Sequence, residues 1–159
     1  MEHEFPQLGE MEDQKEFLRD WWSPKKLYKG NRASGKTTMM LCELRRFERA
    51  GFSCLFLAPT NPMLDSAKRA YSDLFGEHIT SETGSYYGLG NGEFQGNKFD
   101  VIIADEFQDV SLEIINREMN TLSPLYIRAS ACMNSMNNLH YLAGEKGDSF
   151  FDSVYYSDL

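Results

Sequence analysis

The chain is poor in the residues that build metal centres and disulfide frameworks: it has only three histidines and three cysteines in 159 residues. Cys42, Cys54 and Cys132 stand far apart, and His3, His78 and His140 form no ligand spacing with them. That distribution argues against a zinc cluster and a disulfide scaffold alike, and leaves the thiols as reduced core residues. No basic segment followed by an apolar core opens the chain, and no apolar run approaches the roughly 20 residues that span a bilayer, so the expectation is a soluble, cytoplasmic protein with no membrane partner. Low-complexity tracts and internal repeats are also absent. Positive charge is scarce too, with 16 Lys and Arg against 24 Asp and Glu, a net charge of −8. Such a balance opposes non-specific binding to a phosphate backbone, so any nucleic-acid contact has to run through local basic patches. The candidates are Arg45, Arg46 and Arg49 on one helix, and Lys68 with Arg69 on the next.

What the chain does contain is an ordinary globular composition, 42% hydrophobic and 25% charged. At this length one core can bury about 70% of the surface that the unfolded chain exposes, and a single domain over 1–159 is expected. Strand and helix signals alternate. Lys26 to Lys29 can form a short strand, and Met40, Leu44 and Phe47 then recur at helical spacing until Gly51. Phe52 to Pro59 reads as a buried strand. Asn61-Pro62 supplies an N-cap and a first-turn proline for a helix whose apolar face is Leu64, Ala67, Tyr71, Leu74 and Phe75, with Gly76 as its stop. Residues 77–83 can form a third strand. Asn91-Gly92 predicts a tight hairpin turn within Tyr86 to Phe94, inside an insert over 84–98. Leu112 to Met119 looks helical, Leu125 to Ala129 follows Pro124 as a further strand, and Phe150 to Tyr156 closes the series. Strands separated by helices predict an α/β fold, a mainly parallel sheet with helices on both faces.

Two constellations carry chemistry. The run Gly30-Asn31-Arg32-Ala33-Ser34-Gly35-Lys36-Thr37 fits G-x-x-x-x-G-K-[ST], the phosphate-binding loop (Walker A), and Thr38 follows it into the helix. The glycines let successive backbone N–H groups curl around a β-phosphate, and the next helix adds the positive end of its dipole. Lys36 then sets an ammonium between the β- and γ-phosphates, while the Thr37 hydroxyl is a hard oxygen ligand for Mg²⁺. The chain is therefore expected to bind ATP or GTP with Mg²⁺.

The second constellation is Phe99-Asp100-Val101-Ile102-Ile103-Ala104-Asp105-Glu106, an apolar run too short for a helix that ends in paired carboxylates (Walker B). In a doubly wound sheet such a strand tip lies in the ligand crevice beside the phosphate loop. Asp105 could hold Mg²⁺ through a water, and Glu106 could polarise the attacking water. The resulting P-loop NTPase would hydrolyse nucleotide through Lys36 and Glu106.

The order of Asp13-Gln14-Lys15-Glu16-Phe17-Leu18, Arg32, Ala58-Pro59-Thr60-Asn61, the Asn91-Gly92 segment and Phe99 to Glu106 resembles the ATPase domain of viral large terminases, the motors that package DNA into capsids. The run Asp105-Glu106-Phe107-Gln108-Asp109 is equally similar to the second motif of superfamily 1 DNA helicases. Both resemblances imply the additional-strand, catalytic-glutamate branch of the P-loop fold. They imply that the segment 1–24 lies on the adenine side with Gln14 reading the base edge, and that Arg32 is a cis arginine finger. Ser130 and Asn134 would couple γ-phosphate loss to movement. A packaging motor implies duplex DNA as partner and the host cytoplasm as location; the alternatives are a helicase-like motor and a nucleotide-dependent protein-interaction switch. Because a nuclease domain or second motor domain does not fit in this length, the expectation is an excised domain, or an ATPase completed by a homo-oligomeric ring or a partner chain.

Overall fold

The computed structural model describes residues 12–31, 35–110, 114–132 and 151–156. Arg32, Ala33, Ser34 and Asn134 lie outside them, as does part of the 112–119 segment. The element order is α1 (Glu12–Arg19), β1 (Lys25–Gly30), α2 (Lys36–Arg49), β2 (Cys54–Ala58), α3 (Asn61–Phe75), β3 (Glu82–Ser85), α4 (Tyr86–Gly90), β4 (Val101–Ala104), β5 (Tyr126–Cys132) and β6 (Ser153–Tyr156). Between β4 and β5 the chain makes a 3₁₀ turn at Phe107–Asp109, a π-helical turn at Ile115–Met119 and one α-turn at Asn120–Leu122.

Among the described residues the strands form one six-stranded sheet in the order β3-β2-β4-β5-β1-β6, and each pairing is parallel. Parallel strands are buried on both faces, which is why β2 and β4 read as continuous apolar runs. Their side chains alternate between two cores. Cys54, Phe56, Val101, Ile103 and Tyr28 meet α1, α2 and α3 through Phe17, Met40, Leu44, Phe47, Leu64 and Tyr71. Leu55, Leu57, Ile102, Ile127 and Ala129 meet Tyr86, Leu89, Phe94, Phe107, Met119 and Leu122 on the other side. The expected α/β sheet with helices on both faces is thus present. Strand β5 separates β1 from β4, so the phosphate-loop strand and the acidic strand are not neighbours. Among the described residues, no helix is long and apolar enough to cross a membrane.

The third strand runs Glu82–Ser85 and not over 77–83, and three further local expectations change. The N-cap of α3 is Thr60, whose hydroxyl accepts from Met63 N at 3.3 Å, so Asn61 is already helical; Gly76, with φ 70°, ends the helix as expected. The segment holding Asn91-Gly92 is not a hairpin. Ser85 caps α4 by accepting from Gly88 N at 3.1 Å, Tyr86 and Leu89 bury one face, and Asn91 closes the helix. The glycines here serve close packing: a Cβ on Gly84 would come 2.3 Å from the Phe94 ring. Third, two of the three α2 arginines are engaged within the fold. Arg45 pairs with Glu77 at 3.1 Å, and Arg46 donates to Leu18 O at 2.6 Å and lies 3.4 Å from Glu43.

Glu43 belongs to an ionic cluster that sequence reading missed. Its carboxylate sits 2.9 Å from Lys26 and 3.4 Å from Arg128, all three being buried. The cations also bind the backbone that leads into β1: Lys26 donates to Phe17 O, and Arg128 to Trp21 O at 3.1 Å and Ser23 O at 2.8 Å. Lys26, lowered to about 8 mainly by burial, shows how expensive the site is for a free charge. The cluster tethers α1 to β1, α2 and β5, and so fixes the frame on which the phosphate loop is mounted.

Candidate active site

The residues picked out by sequence meet at the C-terminal ends of β1, β4 and β5. Strand β1 ends at Gly30, opposite Cys132 of β5, and the chain re-enters helix at Gly35, whose φ of 80° suits only glycine without strain. Among the described residues no side chain caps the start of α2, and its first turn holds no acidic residue. Its first-turn N–H groups, which Thr38 shares, retain capacity for an anion. Lys36 is buried and folds back, donating to Asn31 O at 3.0 Å. Its ammonium also lies 3.6 Å from the Glu106 carboxylate.

Thr37 and the acidic turn are joined directly. The Thr37 hydroxyl donates to Asp105 Oδ2 at 2.7 Å, and the Ser130 hydroxyl of β5 donates to Asp105 Oδ1 at 2.6 Å. Burial raises the Asp105 carboxyl above its ordinary range; the bonds from Ser130 and Thr37 pull it down, the Glu106 charge pushes it up, and Lys36 lowers it. Two hard oxygens in hydrogen-bond contact, one hydroxyl and one carboxylate, fit the sparse protein share of a Mg²⁺ site that is completed by phosphates and water. A dedicated cage is not built: among the described residues no group of three or more His, Cys, Asp and Glu could hold a metal.

Glu106 follows β4 in the left-handed region, φ 50° and ψ 57°, a conformation that costs a non-glycine residue about 1–2 kcal/mol. Such an outlier persists only where the surroundings hold it. Here Glu106 N donates to Ser130 Oγ at 3.1 Å, and the carboxylate accepts from Gln108 Nε2 at 2.8 Å. Gln108 in turn accepts from Cys132 N at 3.1 Å, which binds the acidic turn to the end of β5. Gln108 lies in the acidic run, but nothing in its spacing points to this task. Asp109, raised by burial and by the Glu106 charge, lies at the end of the same turn.

Lys36, Thr37, Asp105, Glu106 and Ser130 therefore form one connected group. Gln14 is buried in α1, which packs against α2 and β6. Arg32, Ala33, Ser34 and Asn134 are outside the described residues.

No protein-family model matches the sequence, and no curated protein matches it. Solved structures do match. One is the UvsW helicase from bacteriophage T4, with a TM-score of 0.70 at 11% sequence identity. The similarity covers 91% of this chain and 59% of that one, so this chain spans less than two thirds of the other's length. At that identity the likeness is one of fold.

Proposed function

We propose that the chain is a Mg²⁺-dependent, ATP-hydrolysing motor domain of the helicase-like kind, acting on DNA. The observation that carries the reading is the convergence of Lys36, Thr37, Asp105 and Glu106 within 3.6 Å contacts at the open end of a parallel sheet. Phosphoryl transfer needs little covalent help from a protein; positioning and charge do most of the work. Lys36 would exchange Glu106 for phosphate oxygens. Thr37 and Asp105 would hold Mg²⁺, which supplies charge neutralisation at the phosphates. Glu106, released from Lys36 but still held by Gln108, would orient the attacking water, and Ser130 would report on the acidic turn from β5. Gln14 as adenine reader, Arg32 as cis finger and Asn134 as coupling residue complete the assignment.

A second reading, translocation of duplex DNA by a packaging-type ring or with a partner chain, is favoured by the order of the sequence segments from Asp13 to Glu106. Hydrolysis assays separate the possibilities. Glu106→Gln should keep nucleotide binding while turnover falls by about 10²-fold or more, and Lys36→Ala should weaken binding as well. Normal turnover in both variants would place the chemistry elsewhere. Stimulation confined to single strands supports the helicase-like motor, whereas stimulation by duplex supports packaging. A wild type that binds nucleotide with hardly any turnover, with or without DNA, would make it a switch.

A further inference from the structure

The peptide between Asp105 and Glu106 is held at both of its polar atoms. Its N–H donates to Ser130 Oγ at 3.1 Å, and its carbonyl accepts from the hydroxyl of Tyr86. A peptide unit is planar, so fixing both atoms fixes its rotation, and that rotation sets the φ of Glu106. The left-handed φ of 50° in turn sets where the Glu106 side chain leaves the backbone. We propose that Tyr86 is a positioning residue for Glu106, the α4-borne half of a clamp whose other half is Ser130.

Tyr86 is suited to the task because it cannot move independently. Its ring is buried among Leu57, Leu89, Phe94 and Phe107, and its residue opens α4, whose start is fixed by the Ser85 cap. Just before it the packing is close: a Cβ on Gly84 would come 2.3 Å from the Phe94 ring. A backbone carbonyl can only accept, so the phenol hydroxyl is the donor of this bond. Ser130 alone leaves the carbonyl end free to swing, and the strained φ would then relax. The proposal rests on the reading of Glu106 as the water-orienting carboxylate.

Tyr86→Phe keeps the ring and removes only the hydroxyl. Measured on the whole chain well below its melting temperature, with rates normalised to nucleotide-binding sites, kcat should fall about ten- to a hundredfold while KM and directly measured Kd for Mg-nucleotide stay within about twofold. Leu122→Ala, a cavity in the same apolar cluster that leaves the hydroxyl in place, should lower stability and keep the per-site kcat. An unchanged kcat in Tyr86→Phe would overturn the proposal, as would a loss of binding in step with kcat, or a kcat loss in Leu122→Ala of the same size. Wild type without turnover, or turnover that survives Glu106→Gln, instead removes the hydrolysis reading and this inference with it.

Discussion

Asp105 concentrates the conflict between stability and function in a single side chain. Burial raises its carboxyl, so its contribution to stability is fully present below about pH 4 and is lost as pH rises through the folded value. At neutral pH the ionised group is therefore a burden that two hydroxyl donors only partly relieve. Asp105→Asn should melt at higher temperature than wild type at pH 7, and the gap should close as the pH is lowered toward 4. The same variant should lose the Mg²⁺-dependent part of nucleotide affinity, about tenfold or more, because a neutral amide is a poor partner for a hard cation. Thermal melts and nucleotide titrations with and without Mg²⁺ check both halves; a variant less stable than wild type at pH 7 would show that Thr37 and Ser130 stabilise the charge more than burial opposes it.

Helices α1 and α2 meet β1 and β5 around one carboxylate, Glu43, and the cations Lys26, Arg46 and Arg128. Replacing such a pair by apolar residues can be harmless, but deleting the single anion leaves buried cations uncompensated. Glu43→Gln should cost on the order of 3–5 kcal/mol in urea unfolding at pH 7. Lys26 adds a pH signature. Its folded value of about 8 lies below that of a free lysine, so the unfolded chain binds the extra proton and stability rises with pH between the two values. The Glu43→Gln penalty should accordingly shrink as pH passes 8, since a neutral Lys26 needs no counter-charge. A penalty constant from pH 7 to 9.5 would mean that Lys26 keeps its proton. At the other end of the same elements, Glu48 of α2 accepts from Tyr71 Oη at 2.6 Å and Ser81 Oγ at 2.5 Å, which ties α3 to the entry of β3.

Across the molecule, the net charge of −8 leaves few places for a polyanion. With Arg45 and Arg46 engaged by Glu77, Glu43 and Leu18 O, the exposed basic pair of the original two clusters is Lys68 with Arg69 on α3. Among the described residues Arg69 bonds its own helix neighbour Ser66, at 3.2 Å. If this pair meets phosphates, the double variant Lys68→Ala with Arg69→Ala should weaken DNA binding and lower the slope of log affinity against log salt by about 2. Binding measured from low to moderate salt with a non-hydrolysable nucleotide tests this. An unchanged slope would move the contact surface away from α3.

The phosphate loop and the acidic strand tip were legible in the chain because their signals are short-range: fixed spacing in Gly30 to Thr37, and an apolar run ending in two acids at Asp105-Glu106. The alternation of strands and helices was legible for the same reason, since burial on both faces imposes it locally. The Asn91-Gly92 turn misled, because a hairpin needs two strands to pair and Tyr86 and Leu89 found a helical burial instead. Charge misled too. Arg46, read as part of a basic patch, instead joins Lys26, Glu43 and Arg128 where α1, α2, β1 and β5 meet, and the desolvation of one depends on the arrival of the others. The strand order, the insertion of β5 between β1 and β4, and the hold of Gln108, Ser130 and Tyr86 on the acidic turn are contacts between residues distant in the chain. No local period encodes them; they follow from which faces the whole chain can bury at once.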